Sequence, residues 1–229
     1  MAIEKKETRE SYVYRKLKSA ILSRKIAPGQ QLLEDMISKT LQTSRTPVRN
    51  ALQALHEEGL VDLVANRGAF VVDPSTEEID DAFFVREELE VIAWSAAINR
   101  FDVNHIAILR GIIADEARAI ANEDFSQYLE KNQTLHLYPA IVLHNIYLEE
   151  FLSKIINRTS IFLTLYDVFF DRHPSEIRSL TDHTAIVEAV EKKDIHQLIK
   201  IIREHIKSSH DDLQLRNLQY VSLEKAIID

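Results

Sequence analysis

The chain of 229 residues has no cysteine and only four glycines. Without cysteine it forms neither disulfides nor thiolate metal sites, which suits a reducing cytoplasm. The sequence has no glycine-rich loop of the kind that usually binds the phosphates of a nucleotide. It also has no apolar run long enough to cross a bilayer, and its charged N-terminus has no apolar signal-peptide segment. We therefore expect a soluble cytoplasmic protein that does not enter a membrane.

The chain also has no overall excess of basic residues, because its formal net charge is −8. The charge is divided unevenly along the chain. Residues 1–73 hold 12 Lys and Arg against 9 Asp and Glu, a balance of +3, whereas residues 74–229 carry −11. Contact with phosphates is electrostatic and local, so only the first part is suited to nucleic acid.

The most informative segment is the sequence SRTPVRNAL at residues 44–52. Ser44 is a good helix N-cap, and proline three residues later is tolerated in the first turn. At helical spacing the apolar residues share one side, while Arg45, Thr46 and Arg49 share another. A helix with a packing side and a basic side at its N-terminus is typical of a DNA-recognition helix, although a surface helix with two arginines is the simpler alternative.

The flanking segments favour recognition of DNA. Helical patterns at 12–25 and 33–41 precede the segment with helix-turn-helix spacing. Two short strand candidates follow at 60–64 and 69–72, joined by a turn that contains Arg67 and Gly68. Three helices and a hairpin make a winged helix-turn-helix, in which Arg67 and Gly68 are placed to contact the DNA backbone or minor groove.

Residues 10–72 resemble the DNA-binding domain of the GntR family of bacterial transcription regulators. The matching pattern comprises Pro28, Gly29, Ser44–Arg49, Ala51, Leu52, Leu55, Glu58–Leu60 and Gly68. Two positions depart from the family pattern. Asn50 replaces the usual Glu, which is expected to alter the operator that is read, and residues 42–43 replace the usual Gly-Val in the turn.

From Ser75 onward only helical patterns are found, and Ser75 with Glu78 forms a capping box. The predicted helices are 77–100, 104–122, 125–137, 140–158, 161–172, 175–192 and 194–223. The sequence therefore predicts a mainly α protein, with a winged helix-turn-helix domain at 1–73 and an all-α bundle at 74–229 that binds an effector and dimerises.

Histidines form the second signal, in the bundle. His183 and His205 lie on apolar stripes of two helices joined by a tight turn near residue 193, at similar heights from that turn. Asn132 and His136 are four residues apart and share a helix face. A third helix that brings this pair to the two histidines completes a four-ligand site, whereas His196 should face solvent.

This arrangement resembles the all-α FCD domain of the FadR subfamily of GntR regulators, over about residues 78–215. The resemblance implies that Asn132, His136, His183 and His205 hold a divalent metal ion. Three imidazoles and an amide oxygen suit Zn²⁺ or Ni²⁺. It further implies that Arg86 helps to bind a small carboxylic-acid effector, although a surface pair with Glu90 is the alternative. Asn132 is neutral where many members have Asp, and Pro139 should kink the helix after His136.

The combined prediction is a homodimeric regulator, a repressor that binds a palindromic double-stranded DNA operator and is not an enzyme. A hydrolytic zinc enzyme has a similar histidine set, but the sequence shows no His-Glu-x-x-His motif, and acids such as Glu130 or Asp182 are common in so acidic a chain. The other alternative is a constitutive DNA-binding dimer whose bundle only dimerises and binds no metal.

Overall fold

The computed structural model describes residues 7–166, 178–213 and 221–228. The helices are α1 (Arg9–Leu22), α2 (Glu34–Thr40), α3 (Arg45–Glu57), α4 (Thr76–Ala97), α5 (Val103–Ala121), α6 (Phe125–Leu143), α7 (Ile146–Tyr166), α8 (Ser179–Glu191), α9 (Ile195–Asp211) and α10 (Leu223–Ile228). The strands are β1 (Gln31–Leu32), β2 (Val61–Val64) and β3 (Gly68–Val71). The described residues divide into two compact units, 7–74 with 221–228, and 75–213.

The first unit is a winged helix-turn-helix, as predicted. Its three strands are antiparallel in the order β1-β3-β2, with Leu32 opposite Ala69 and Asp62 opposite Phe70. Ser44 stands at the N-cap of α3 without a side-chain capping bond, and Gly59 follows the helix with φ +80°. The sequence interpretation missed β1, because two residues are too short to show a periodic pattern.

The C-terminal helix α10 is part of this first unit. It packs on α1 and α2, and it buries Leu223, Ala226 and Ile227. Lys16 Nζ donates a hydrogen bond to the carbonyl of Ile228 at 2.9 Å. The sequence predicts one long last helix over residues 194–223. In the structure α9 ends at Asp211 instead, and the part of the prediction over residues 214–220 lies outside the described residues.

The second unit is helical throughout its described residues, which confirms the predicted class. The capping box of Ser75 and Glu78 starts α4 as expected. The cluster Ala93, Ala140, Leu148, Leu152 and Ile156 packs α4, α6 and α7 together. No described helix is both long and apolar enough to span a membrane.

Two predicted helix boundaries in this unit are wrong. α6 continues to Leu143 through Pro139, because burial of Leu135 and Ala140 on either side outweighs the single hydrogen bond that proline removes. α7 likewise runs unbroken through residues 159–160, where the Thr159 hydroxyl donates to the carbonyl of Ile155 within the helix. The predicted helix ends at 172 and 175 lie outside the described residues.

Substitutions in α10 test its place in the first unit. Ile227 is fully buried, so Ile227→Ala is expected to lower the free energy of unfolding of this unit by about 2–4 kcal/mol, the usual cost of such a cavity. Its neighbour Ile228 is 61% exposed and supplies the matched control, for which a change within about 0.5 kcal/mol is expected. Calorimetric unfolding of the full chain measures both. An equal change in the free energy of unfolding for the two variants would contradict the packing of α10.

Candidate metal centre and nucleic-acid interface

The basic side of α3 is open to solvent. Ser44, Arg45, Thr46 and Arg49 are exposed, whereas Val48 on the opposite side is fully buried. Arg45 and Arg49 pair with Asp35 and Glu34 at the start of α2, in exposed ion pairs that contribute little stability. Both guanidinium groups are therefore free to exchange these acids for phosphate or a base edge.

The hairpin between β2 and β3 presents a second basic element. Arg67 and Gly68 are both exposed at its turn. Gly68 has φ +96°, a conformation that strains other residues, and the guanidinium carbon of Arg67 lies 5.3 Å from the centre of the Phe70 ring. The Gln31 side chain donates to the carbonyl of Arg67 at 2.6 Å and ties the turn to β1.

In the second unit, three histidines from three helices meet in the interior. His136 of α6, His183 of α8 and His205 of α9 are buried, and one candidate ligand atom from each lies within 4.8 Å of the others. Their ring centres are 4.8 to 5.2 Å apart. His183 and His205 thus lie side by side on the two helices that flank their turn, as predicted. His196 is exposed, also as expected.

Each of these imidazoles has its Nδ1 atom against a carboxylate oxygen. The distances are 2.6 Å from His136 to Glu90, 2.9 Å from His183 to Glu116 and 3.2 Å from His205 to Asp182. A neutral imidazole donates through one nitrogen and offers a lone pair on the other. Nδ1–H donation to the acid therefore leaves Nε2 as the lone-pair atom in each ring.

The electrostatics favour neutral rings for His136 and His205. Burial lowers the pKa of both His136 and His205 to about 4. Burial raises the pKa of Glu90, but the opposing effect of His136 and Arg86 is larger and lowers this pKa to about 2. Near neutral pH the rings of His136 and His205 are thus uncharged and the Glu90 carboxylate is ionised. An uncharged ring can donate to the acid through one nitrogen and bind a cation through the other.

The donor set fits a divalent metal ion. Nε2 of His136 and Nε2 of His183 are buried and have no hydrogen-bond partner among the described residues. A buried nitrogen without a hydrogen-bond partner costs folding free energy unless something binds it. Imidazole nitrogens that lie close together are typical ligands for Zn²⁺ or Ni²⁺. Asn132 is buried one turn before His136, and its Nδ2 donates to the Tyr128 hydroxyl at 3.4 Å. Its amide oxygen accepts no hydrogen bond from the described residues.

Arg86 lies in the same interior. Its Nε donates to Glu90 Oε1 at 2.8 Å, and its Nη1 donates to the Thr159 hydroxyl at 3.1 Å. The pair with Glu90 that the sequence suggested does form, but it is buried rather than on the surface. Through Glu90, Arg86 is connected to His136.

Sequence reasoning missed Glu90 and Glu116 as partners of the histidines. Both acids lie on apolar helix faces, Glu116 in line with Leu109, Ile112 and Ala119. An acid in an apolar stripe is a signal that a buried partner exists, and it was readable from the sequence. The identity of the partner was not, because the histidines lie on other helices.

Comparison with known proteins gives two family matches. Residues 9–71 match the model of bacterial regulatory proteins of the gntR family, and residues 81–208 match the FCD domain model. Residues 209–229, which include α10, lie outside both.

Among similar proteins is the uncharacterized HTH-type transcriptional regulator YdhC of Bacillus subtilis, 26% identical over 207 residues and covering 90% of each chain. The gluconate operon transcriptional repressor of the same organism is 22% identical over 201 residues, which cover 86% of this chain and 82% of the repressor. A crystal structure of a GntR regulator from Rhodococcus shares the fold, with a TM-score of 0.66 and 22% identity over 90% of this chain and 97% of that one.

Proposed function

Because the chain belongs to the GntR family of bacterial regulatory proteins, with an FCD domain after its DNA-binding domain, we propose that it is a metal-dependent, acid-responsive repressor. DNA binding and transcription regulation follow from the family. The FCD domain favours the FadR subfamily. The observation that carries the finer proposal is the buried histidine triad, in which Nε2 of His136 and Nε2 of His183 have no hydrogen-bond partner among the described residues.

At the DNA end, the N-terminal part of α3 enters the major groove. Arg45 and Arg49 contact guanine edges or phosphates, with Ser44 and Thr46 beside them, and the turn at Arg67 and Gly68 contacts the backbone or minor groove. One such surface contacts few bases, so two copies on a palindromic operator are needed for specific affinity.

A homodimer has a suitable surface in the second unit. Phe84 is 67% exposed and Ile92 53% exposed on α4, and Phe151 is 55% exposed on α7. These two helices pack together through Ala93 and Leu152, the sequence neighbours of Ile92 and Phe151. Large exposed apolar side chains on adjacent helices are typical of an interface, and we assign this one to a second copy of the chain.

At the effector end, His136, His183, His205 and Asn132 hold a divalent cation. Such an ion supplies positive charge and open coordination positions that accept a carboxylate. Nε and Nη1 of Arg86 donate hydrogen bonds, whereas Nη2 has no partner among the described residues. We therefore assign Nη2 to the effector carboxylate, as a second contact beside the cation. Effector binding that changes the geometry of the two DNA-binding domains weakens operator binding.

The DNA surface is tested by Arg45→Ala and Arg49→Ala. Each is expected to weaken binding to a palindromic duplex, selected by the protein from a random pool, by about 1–3 kcal/mol at fixed salt. Arg118→Ala, which removes an exposed, ion-paired arginine of α5, is the matched control and should bind as the unmodified protein does. Unchanged affinity in both α3 variants contradicts the assignment, and tight binding of a monomer to one half-site contradicts the dimer.

The metal site is tested by elemental analysis of protein purified without chelator. About one divalent ion per chain is expected, and His136→Ala, His183→Ala and His205→Ala should each reduce the occupancy because each removes a ligand. The exposed His196 provides the control, since His196→Ala should leave occupancy unchanged. Absence of metal, together with a melting temperature that does not respond to added Zn²⁺ or Ni²⁺, would favour the constitutive dimer instead.

The effector is tested by a thermal-shift screen of small carboxylic acids on metal-loaded protein. An acid present at 100 times its Kd should stabilise the protein by about 2.7 kcal/mol and should weaken operator binding. The primary amide of the same acid is the matched control, since it lacks the charge that the cation and Arg86 recognise. The effector proposal fails if acid and amide act alike, or if the acid acts equally on metal-free His183→Ala protein.

A further inference from the structure

The three carboxylates that face the histidines are not equivalent. Glu90 and Glu116 are fully buried, whereas the Asp182 side chain is 19% exposed. Glu90 shares its charge between His136 and Arg86. Glu116 contacts His183 through Oε2, and its Oε1 is buried without a hydrogen-bond partner among the described residues.

The formal charges of this interior favour one kind of ligand. Three carboxyl groups and one guanidinium group contact this cluster, a formal balance of −2 that a single divalent cation matches. Arg86 offsets Glu90, and solvent screens the partly exposed Asp182. Glu116 contacts no guanidinium group and no solvent, and its Oε1 has no partner among the described residues, so of the three acids it gains most from a cation bound at the other nitrogen of His183.

We propose that Glu116, acting through His183, is the positioning residue that determines how tightly the site holds a divalent cation. It does so in two ways. It accepts the Nδ1–H of His183, which fixes the ring orientation and directs the Nε2 lone pair to the other two imidazoles. It also makes the imidazole a stronger electron donor than a neutral acceptor would. This inference rests on the metal site of the proposed function and extends it to a residue on α5 that contributes no ligand atom.

The test compares Glu116→Gln with Asp182→Asn in the full chain, by Zn²⁺ competition titration and by Co²⁺ absorption spectra. Glutamine keeps the shape and a hydrogen-bond acceptor but removes the charge. Zn²⁺ affinity should fall about 10- to 100-fold in Glu116→Gln, as for other outer carboxylates, and less in Asp182→Asn. Glu188→Gln, the same change at an exposed site on α8, is the control and should match the unmodified protein.

Two further readouts separate this role from a structural one. The metal-free Glu116→Gln protein should be about as stable as the unmodified metal-free protein, because glutamine keeps the shape of the side chain and the oxygen that accepts from Nδ1–H of His183. The visible band of bound Co²⁺ should shift in this variant and stay unchanged in Glu188→Gln, since only the first alters a ligand's donor strength.

The proposal is overturned if Glu116→Gln binds Zn²⁺ within twofold of the unmodified protein, or if it is destabilised or unfolded without metal. In the second case Glu116 serves the fold rather than the ion. If the unmodified protein itself binds no Zn²⁺, Co²⁺ or Ni²⁺, the proposed metal site fails as well, and this result is distinct from the first two.

Discussion

The second unit depends on the burial of three imidazoles at one point. A buried imidazole needs a partner for each nitrogen, and α4, α5 and α8 supply a carboxylate for one nitrogen of each ring. These bonds connect five helices, because the histidines come from α6, α8 and α9. The same contacts leave Nε2 of His136 and Nε2 of His183 buried without a hydrogen-bond partner among the described residues. One set of contacts therefore packs the helices and presents the ligand atoms of the proposed metal site.

The chain also links this cluster to the DNA-binding unit at two points in the sequence. The first is the connection near Pro74, before α4. The second follows α9, which carries His205, because the next described helix, α10, packs on α1 and α2 of the first unit. Both family models omit this last segment.

Much of this organisation was readable from local patterns. The spacing of Val48, Leu52 and Leu55 determines the buried side of α3, and the tight turn before α9 determines that His183 and His205 come level. The breaks expected after residues 137 and 158 were wrong because local propensity is weak beside packing. Pro139 is accommodated within α6, and Thr159 satisfies its hydroxyl inside α7 while it accepts a bond from Arg86.

The sequence by itself determined the two-part organisation, the recognition helix and the four candidate ligands, since each depends on spacing within one helix or across one turn. Only the tertiary structure decided which acid faces which histidine, that the Arg86 pair is buried, and that α10 joins the first unit. Those facts depend on contacts between residues up to more than two hundred positions apart, as between Lys16 and Ile228. Helical periodicity tells which face of an element is buried, but not which other element covers it.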